Sequence, residues 1–558
     1  MDGKQKTGTV PDQVTKEREK GETGPGEEEN HKIGKRPLTI DDAVDWIYNG
    51  VNIKLILVFL TATGTATQTP MQIYVTIFAG FIPYTEWTCV SDKCHDLLAN
   101  SSDIKEFYSS STMCDNNLIA GTDFNWTSDR TSFSVDWGIY CETEAKFSTI
   151  SSFFFLGATL GLLGSSTVFD RFGRRNGAIA GNLIGATATL VGTWVPSYEV
   201  MLLIRVLQGV GMFIQLTGIY CWSIELTPTH LRSFANGSIM NIWSVGYMMI
   251  TMFGYLIPTW NYIFLAVGIL NYVLTIPLLI YPNSPRFTLV RGREEEAKRT
   301  LESFSQLCNN KKSMDTVDLT YKKRVQNYFE QVKDFKTYPT LRKETLLGII
   351  SWFIVAVLFY GFSFGWVRIS SDLYTGHLAA AISKFVGYSS AIPACNWIGR
   401  KKTMLTILTV GLLSNFLAMP DVQITDYWTL EYVACLIGNL SCSAAFGVIY
   451  LYSGELAPTS HRGMILSLSS ASARVGSFTG TYVGLLYAVA DRRVPLAVFA
   501  GLTCIFMTAI FFMSDPTGRR IPETPLDVEI LTGNKDFLQT HQDTCTDEEK
   551  EQHLEAKG

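Results

Sequence analysis

The sequence has few charged residues and none of the short motifs that mark common enzymes. Asp, Glu, Lys and Arg make up 17% of the 558 residues, whereas hydrophobic residues make up 47%. No GxSxG, HExxH or Walker-type loop occurs, and the eleven cysteines do not show metal-ligand spacing. We therefore predict that the protein is not an enzyme and has no catalytic residue, metal site or cofactor. We expect no nucleic-acid partner either.

Hydrophobic residues occur in blocks of the length that an α-helix needs to cross a bilayer. About 20 residues span the roughly 30 Å of hydrocarbon. The sequence predicts an all-α integral membrane protein with twelve transmembrane helices, at residues 52–79, 147–168, 177–197, 199–224, 235–257, 260–281, 345–366, 375–395, 404–420, 429–452, 464–489 and 495–513. The lipid bilayer is therefore an expected partner.

The polar segments predict the orientation in the membrane. Residues 1–45 and 515–558 are polar, and we predict that both are cytoplasmic tails, the first one disordered and without the apolar core of a signal peptide. The 283–344 segment carries fourteen Lys or Arg residues, so the positive-inside rule places it in the cytoplasm as well. We predict a multi-pass protein of the plasma membrane with both termini cytoplasmic.

Residues 80–145 form the predicted outer loop, because they contain only three basic residues. Asn100 and Asn125 begin N-x-Ser/Thr sequences and are predicted glycosylation sites. The loop contains four cysteines, an even number that predicts two disulfides in an oxidising compartment: Cys89, Cys94, Cys114 and Cys141. Three pairings are possible and sequence does not choose among them, while free thiols are the alternative.

Two motifs recur along the chain. ELTPTHLR at 225–232 returns as ELAPTSHR at 455–462, and DRFGRR at 170–175 returns as NWIGRK at 396–401. The offsets of 230 and 226 residues indicate a single duplication. We predict two pseudo-symmetric six-helix halves joined by the 283–344 linker: residues 46–282 and 345–514. Parallel repeats of this kind are typical of secondary transporters that alternate access to a site near the midplane.

The repeated motifs place charged residues at the inner ends of the predicted helices. We predict a conformational latch whose charges pair across the two halves in one state and separate in the other: Asp170, Arg171, Arg174, Arg175, Glu225, Arg232, Glu455 and Arg462. Asn396 stands where the first half has an acid, so the second latch is expected to be the weaker one. The alternative is that these arginines only follow the positive-inside rule.

Two cations lie near the middle of predicted spans, Lys384 in the eighth and Arg474 in the eleventh, whereas no Asp or Glu lies at mid-span. An ionised side chain at bilayer depth is costly unless it is paired or lines a wet cavity. We therefore predict that the substrate supplies the negative charge. Arg474 also belongs to a polar stripe at helical spacing that should face the cavity: Ser467, Ser470, Arg474, Ser477 and Thr481. The alternative is a structural role, which we assign to Arg205.

Aromatic residues accompany these cations. The seventh span ends in LFYGFSFGW, and we expect Phe359 and Tyr360 to stack on a flat organic anion while Arg474 binds its carboxylate. Trp243 in the fifth span is a further candidate for the substrate site. The alternative for these residues is an aromatic belt at the membrane interface.

From about residue 45 to about residue 530, the chain resembles the major facilitator superfamily and, within it, the organic ion transporter family. The resemblance rests on DRFGRR, on RVLQG followed by ELTPTHLR, on NSPRF at the start of the linker, and on IPETPLDVE after the last span. It also includes the large outer loop with its cysteines and sequons. The resemblance implies the major facilitator fold and transport by alternating access.

Within that family the chain is similar to the organic anion branch. It has Ala-Arg-Val-Gly at 473–476, where cation carriers have an Asp in place of the Arg, together with Lys-Phe-Val at 384–386 and Phe-Tyr-Gly at 359–361. The resemblance implies transport of small organic anions and exchange against an intracellular dicarboxylate. We expect the monomer to be the transport unit. Two alternatives stay open: a carrier of zwitterionic or neutral solutes or of organic cations, and a transport-inactive receptor or scaffold.

Overall fold

The computed structural model describes residues 36–47, 63–81, 87–100, 122–126, 130–139, 143–228, 231–307, 317–320, 328–370, 372–420, 429–491, 493–518 and 522–532, together with 56, 59, 60 and 422. The first elements are β1 (Arg36–Thr39), α1 (Ile40–Ile47), a 3-10 helix (Gly64–Thr67), α2 (Gln68–Gly80), β2 (Trp87–Cys89), α3 (Asp92–Asn100), β3 (Phe124–Trp126), α4 (Phe133–Asp136), α5 (Thr143–Phe172), α6 (Arg174–Gly192), α7 (Tyr198–Leu226), α8 (Arg232–Leu256) and α9 (Trp260–Ile280). They are followed by α10 (Pro285–Val290), α11 (Glu294–Leu307), β4 (Val317–Thr320), α12 (Tyr328–Thr337), α13 (Pro339–Ile369), α14 (Leu373–Ile398), α15 (Arg400–Leu417), α16 (Leu430–Leu456), α17 (Arg462–Val489), α18 (Arg493–Phe512) and α19 (Pro525–Thr532).

Long helices occupy eleven of the twelve predicted spans, and the 3-10 helix with α2 occupies the second half of the first one. Even the shortest, α15, has 18 residues, which at a rise of about 1.5 Å per residue is close to the thickness of the hydrocarbon. Within the described ranges, eight helices are both long and apolar enough to cross a membrane: α5, α7, α8, α9, α13, α14, α16 and α18. The more polar α17 is not among them, because it carries the Ser/Thr stripe and Arg474.

The helices pack in two similar halves. In the first half α7 packs against α5 and α6, and in the second half the equivalent α16 packs against α14 and α15. The halves meet mainly where α5 contacts α17 and where α8 contacts α14. Small residues allow close approach within a half, since a Cβ on Gly209 of α7 would lie 2.0 Å from the Phe154 carbonyl oxygen of α5. The packing therefore repeats as the sequence duplication predicts.

The duplicated DRFGRR and NWIGRK motifs form equivalent turns. Gly173 between α5 and α6 has φ 87°, and Gly399 between α14 and α15 has φ 92°. Glycine has no Cβ and adopts these positive φ values without strain, so the same residue is used in both turns. We call the end of the helix bundle that carries Gly173 and Gly399 the inner face, and the opposite end, next to the 80–145 loop, the outer face.

Parts of both predicted tails are folded on the inner face, which corrects the expectation of disorder up to residue 45. Strand β1 pairs in parallel with β4 of the linker, and α1 packs its apolar residues against Leu289, Ala297 and Leu301. In the second tail, Val528 of α19 packs with Leu341, Ala457 and Ile465. Composition alone had suggested solvated tails, but short amphipathic helices can bury one apolar side against a neighbouring helix. Residues 1–35 and 533–558 lie outside the described residues.

The described part of the outer loop contains one small sheet and one disulfide. Strand β2 pairs antiparallel with β3, and Cys89 is bonded to Cys94 at the start of α3. Asn125 lies exposed on β3, as a glycosylation site requires. Cys114 and Cys141 lie outside the described residues, and so does the side chain of Asn100. The predicted second disulfide and the glycosylation of both sequons stay predictions.

Candidate substrate-binding site

Lys384 lies in the middle of α14 with a completely buried side chain. Its Nζ lies 3.5 Å from the centroid of the Phe359 ring. Among the described residues it has no hydrogen-bond partner. A ring face attracts an ammonium group but does not replace the acceptors that water provides. The Lys384 ammonium is therefore available to an incoming anion.

Arg474 lies in the middle of α17, 5% exposed. Its guanidinium carbon lies 4.3 Å from the centroid of the Phe213 ring, which belongs to α7 in the other half. The hydroxyl groups of Tyr360 and Tyr450 interact with the guanidinium. Its Nε has no hydrogen-bond partner among the described residues. A guanidinium has five N–H donors in a planar fork, so this arrangement leaves donors free for a carboxylate.

Aromatic rings from both halves surround the two cations. Tyr360 contacts Phe155 of α5 with ring centroids 4.5 Å apart, and Phe359 contacts Phe446 of α16 at 5.2 Å. The rings of Phe359 and Tyr360 themselves are 5.0 Å apart. We define the aromatic cage as Phe155, Phe213, Phe359, Tyr360, Phe446 and Tyr450. The cage joins the predicted residues Phe359, Tyr360, Lys384 and Arg474 in one buried region between the halves.

Two other predicted site residues have less direct links to this region. Ser470 is half-buried one helical turn from Arg474, on the same side of α17, as the polar stripe predicts. Farther along the stripe, Ser477 and Thr481 are buried, and the Thr481 hydroxyl contacts Ser152 of α5. Trp243 is half-buried on α8 and packs on the hydrophobic core, and its indole N–H has no hydrogen-bond partner among the described residues.

Arg205 has a different environment from Lys384 and Arg474. Its guanidinium donates hydrogen bonds to the Gln72 carbonyl oxygen at 2.6 Å and to Oε1 of Gln208 at 2.8 Å. It also lies 4.6 Å from the centroid of the Phe154 ring. These contacts tie α7 to α2 and α5 inside the first half. They agree with the structural role expected for Arg205.

On the outer side of the cage, rings and polar groups from the two halves close against each other. Tyr74 of α2 stacks on Tyr247 of α8 with centroids 3.9 Å apart, and the Tyr74 hydroxyl donates to the Ser363 hydroxyl of α13 at 3.2 Å. The Tyr247 hydroxyl is hydrogen-bonded to Nδ1 of His377 on α14 at 2.5 Å. We define the outer seal as Tyr74, Phe78, Tyr247, Ser363, Phe364, Tyr374 and His377. Because the seal joins both halves, the cage is closed toward the outer face.

Three of the predicted latch residues, Arg174, Glu225 and Glu455, form ion pairs inside their own halves. Arg174 Nε lies 3.2 Å from Glu225, and Arg400, which was not among the predicted residues, contacts both carboxylate oxygens of Glu455 at 3.0 Å. The second within-half pair therefore has the better geometry, while pairing of the latch residues across the halves stays a prediction. Glu455 pairs with Arg400 of the NWIGRK motif. The pair therefore does not involve Asn396, which is the residue equivalent to Asp170.

The other predicted latch residues contact backbone or solvent. Arg175 donates to the carbonyl oxygens of Leu278 and Leu279, both at 2.6 Å, at the end of α9. Arg462 donates to the Ala457 carbonyl oxygen at 3.3 Å. Asp170 and Arg171 are exposed, and neither forms an ion pair with a described residue. The side chain of Arg232 lies outside the described residues, so its role stays a prediction.

Several residues of the site were not predicted from the sequence. Arg400 had a usable signal, because it lies 226 positions after Arg174 in the repeated motif. His377 had a weaker signal as an ionisable residue within a predicted span. Phe155, Phe213 and Tyr450 had none, because apolar and aromatic residues are common in every span and only the packing of the halves brings them together.

A sequence model of the family described as "Sugar (and other) transporter" matches residues 96–366 and 367–525. The human organic cation/carnitine transporter 2 is 25% identical over 398 residues, which cover 70% of each chain. An organic cation transporter protein of Drosophila melanogaster is 25% identical over 416 residues, 71% of this chain and 73% of that one. Solute carrier family 22 member 6 of Pseudopleuronectes americanus is 23% identical over 447 residues, 78% of each chain.

Among solved structures, the chain is similar to the proton:xylose symporter XylE of the major facilitator superfamily bound to 6-bromo-6-deoxy-D-glucose. The TM-score is 0.56 at 13% identity, and the match covers 84% of this chain and 97% of that chain. A partially occluded inward open conformation of XylE from E. coli matches with a TM-score of 0.55 at 13% identity, over 84% of this chain and all (100%) of that one. The fold is thus the major facilitator fold, as predicted. The chain belongs to the sugar (and other) transporter family and is a multi-pass membrane transporter, not an enzyme.

Proposed function

We propose that this transporter carries small organic anions by alternating access, with Lys384 and Arg474 binding the anionic group inside the aromatic cage. The observation that carries the proposal is that Lys384 Nζ and Arg474 Nε are both buried without a hydrogen-bond partner among the described residues. The sequence has no mid-span Asp or Glu to balance them. A cation at bilayer depth needs a counter-charge or water, and a substrate carboxylate or sulfonate supplies that charge.

The rings around the two cations favour an aromatic or otherwise flat anion. Lys384 lies against Phe359 and Arg474 against Phe213, so these two ring faces already hold resident cations. An organic cation would have to displace one of them, whereas an anion adds a favourable contact to both. The remaining rings, such as Phe446 and Tyr450, offer surfaces for the apolar part of the substrate.

The wider assignment follows from the same reasoning. We propose that the protein lies in the plasma membrane with both termini cytoplasmic, which makes the inner face cytoplasmic. The arginine-rich turns at Gly173 and Gly399 support this orientation. We further propose the monomer as the transport unit and an intracellular dicarboxylate as the counter-substrate, since two buried cations suit two carboxylates.

A zwitterion is the second candidate substrate. Its carboxylate would bind Arg474, and its ammonium group would lie over a cage ring without a resident cation. Two of the relatives are named organic cation or organic cation/carnitine transporters, which favours this candidate. Transport-inactive scaffolding is the remaining alternative.

Uptake into proteoliposomes separates these possibilities. A labelled aromatic carboxylate, a quaternary ammonium and a zwitterion would be tested with wild type, Arg474→Met and the control Arg299→Met, which changes an exposed arginine on α11. We expect uptake of the carboxylate, and at least about a tenfold loss in Arg474→Met, because a hydrogen bond to a charged group contributes roughly 1.5–3 kcal/mol. Arg299→Met should match wild type.

The other outcomes of this experiment would favour one of the alternative functions. Uptake of the zwitterion alone, with dependence on Arg474, would select the second candidate. Uptake of the quaternary ammonium that survives Arg474→Met would refute the role of the two cations. Uptake of none of the three by a correctly folded protein would favour the scaffold.

A further inference from the structure

The outer seal contains a buried histidine at the contact between the two halves. His377 of α14 is completely buried, and its Nδ1 is hydrogen-bonded to the Tyr247 hydroxyl of α8 at 2.5 Å. Its Nε2 is buried without a hydrogen-bond partner among the described residues. Phe78 of α2 packs against the imidazole at 5.4 Å between ring centroids. Neither the predicted substrate contacts nor the inner ion pairs use this residue.

The groups that face His377 are neutral or positively charged. Tyr247 comes from α8, and Tyr74, stacked on Tyr247, comes from α2. On its own helix, Lys384 lies two turns away, about 10.5 Å along the axis. Asp372 begins the same helix and accepts a hydrogen bond from the Thr375 amide. In the part of the chain that the structure describes, no carboxylate contacts the imidazole.

We propose that His377 is a proton-binding site that controls the outer seal, which closes when the imidazole is neutral and is held open when the imidazole is protonated. In the closed seal the hydrogen bond between Nδ1 and the Tyr247 hydroxyl can form with either tautomer of the neutral ring, and no described carboxylate faces the buried imidazole to balance a protonated one. When the halves separate on the outer side, the hydrogen bond between Tyr247 and His377 is broken and water reaches the ring. A proton taken up there must leave before the seal closes, because closure would bury an imidazolium near Lys384 without a counter-charge.

External acid is therefore expected to slow transport through this residue. An imidazole in water titrates near pH ~6.5, so the neutral fraction falls roughly tenfold between about pH 7.5 and about pH 5.5. If seal closure limits uptake, the initial rate falls by a similar factor over this range. A variant with a neutral side chain of similar size at this position keeps its rate.

The first test measures initial uptake of a labelled aryl sulfonate by intact cells at the two external pH values. A sulfonate stays ionised throughout, so its own charge does not change. We compare wild type, His377→Gln and His461→Gln. His461 is the matched control, since it is also completely buried but lies on the inner face, with Nε2 at 3.1 Å from Asp334. Burial lowers the pKa of His461, and the Asp334 carboxylate opposes this shift.

We expect a roughly tenfold acid inhibition in wild type and in His461→Gln, and a nearly constant rate in His377→Gln. Equal inhibition in all three proteins, or none in wild type, would overturn the proposal. This test uses the proposed anion transport only as a readout. Absence of sulfonate uptake at both pH values would therefore count against the proposed function alone.

The second test does not depend on transport. Spin labels at Trp194→Cys and Val489→Cys, both exposed near the outer face on opposite halves, report the opening of the seal in a background in which Ser replaces Cys221, Cys308, Cys504 and Cys545. Acidification of the purified protein should shift the label distances toward longer values, and His377→Gln should abolish the shift. Distances that do not change with pH, or that change equally in His377→Gln, would refute the proposal even if the first test gave no signal.

Discussion

Replacing Lys384 by Met should make the protein more stable and less active at the same time. Methionine keeps the length and the apolar stem of the side chain but removes the ammonium group. In the structure that group is buried, contacts the Phe359 ring at 3.5 Å and has no hydrogen-bond partner among the described residues. A buried ammonium group without a hydrogen-bond partner lowers stability, so it is not explained by a role in the fold. It is explained if the group binds an anionic substrate at some cost in stability.

The size of the effect follows from two opposing contributions. A lysine at the centre of a transmembrane helix costs about 2.5–3.5 kcal/mol on insertion scales. Its cation–π contact returns about 0.5–2 kcal/mol in a desolvated site. The net gain from Lys384→Met is therefore about 0.5–3 kcal/mol in the absence of substrate, and at an unfolding entropy of about 2.1 cal/mol/K per residue we expect the thermal midpoint to rise by up to about 3 °C.

The assay is thermal unfolding in detergent, followed by tryptophan fluorescence, together with anion uptake by the same preparations. Lys333→Met, which changes an exposed lysine on α12, is the matched control and should alter neither quantity. A lower midpoint for Lys384→Met would refute the reasoning, because it would mean that the ammonium group stabilises the fold. An unchanged uptake rate would equally contradict a role in substrate binding.

Three further predictions concern the fold. Arg205→Met should lower the free energy of unfolding by about 2–4 kcal/mol, because it removes two short hydrogen bonds and a ring contact. The thermal midpoint should fall accordingly, and a wild-type midpoint would contradict the structural role of Arg205. Glu455→Gln should destabilise more than Glu225→Gln, since Glu455 binds Arg400 through both oxygens, and the reverse order of midpoints would count against this comparison. Asn125→Gln should remove one glycan and increase electrophoretic mobility, and an unchanged mobility in mammalian cells would show that the sequon is unused.

The architecture could be predicted from the sequence because it depends on signals that are local or repeated. Apolar blocks gave the spans, and the offset between the two copies of the motifs gave the two halves. The burial of Lys384 and Arg474 also followed from sequence, because their cost at mid-span holds for any arrangement of the helices. The cage around them supports that prediction.

The remaining features depend on which helices pack against each other, and the residue pattern along the chain does not predict this. The ion pair between Arg400 and Glu455 inside one half was not predicted, because it depends on α15 and α16 lying side by side. The contact between Tyr247 and His377 exists only because α8 and α14 meet at the boundary between the halves. The folding of α1 on the linker likewise requires a partner surface that no local pattern reveals.

The most direct test of the central claim, that Lys384 and Arg474 form an anion site, is a comparison of two ligands that differ only in charge. The thermal midpoint of the purified protein would be measured with an aromatic carboxylate and with its neutral primary amide, for wild type and Arg474→Met. The account predicts that the carboxylate raises the midpoint of wild type in a saturable way, that the amide does not, and that Arg474→Met loses the response. Equal stabilisation by the amide, or an undiminished response in Arg474→Met, would contradict it.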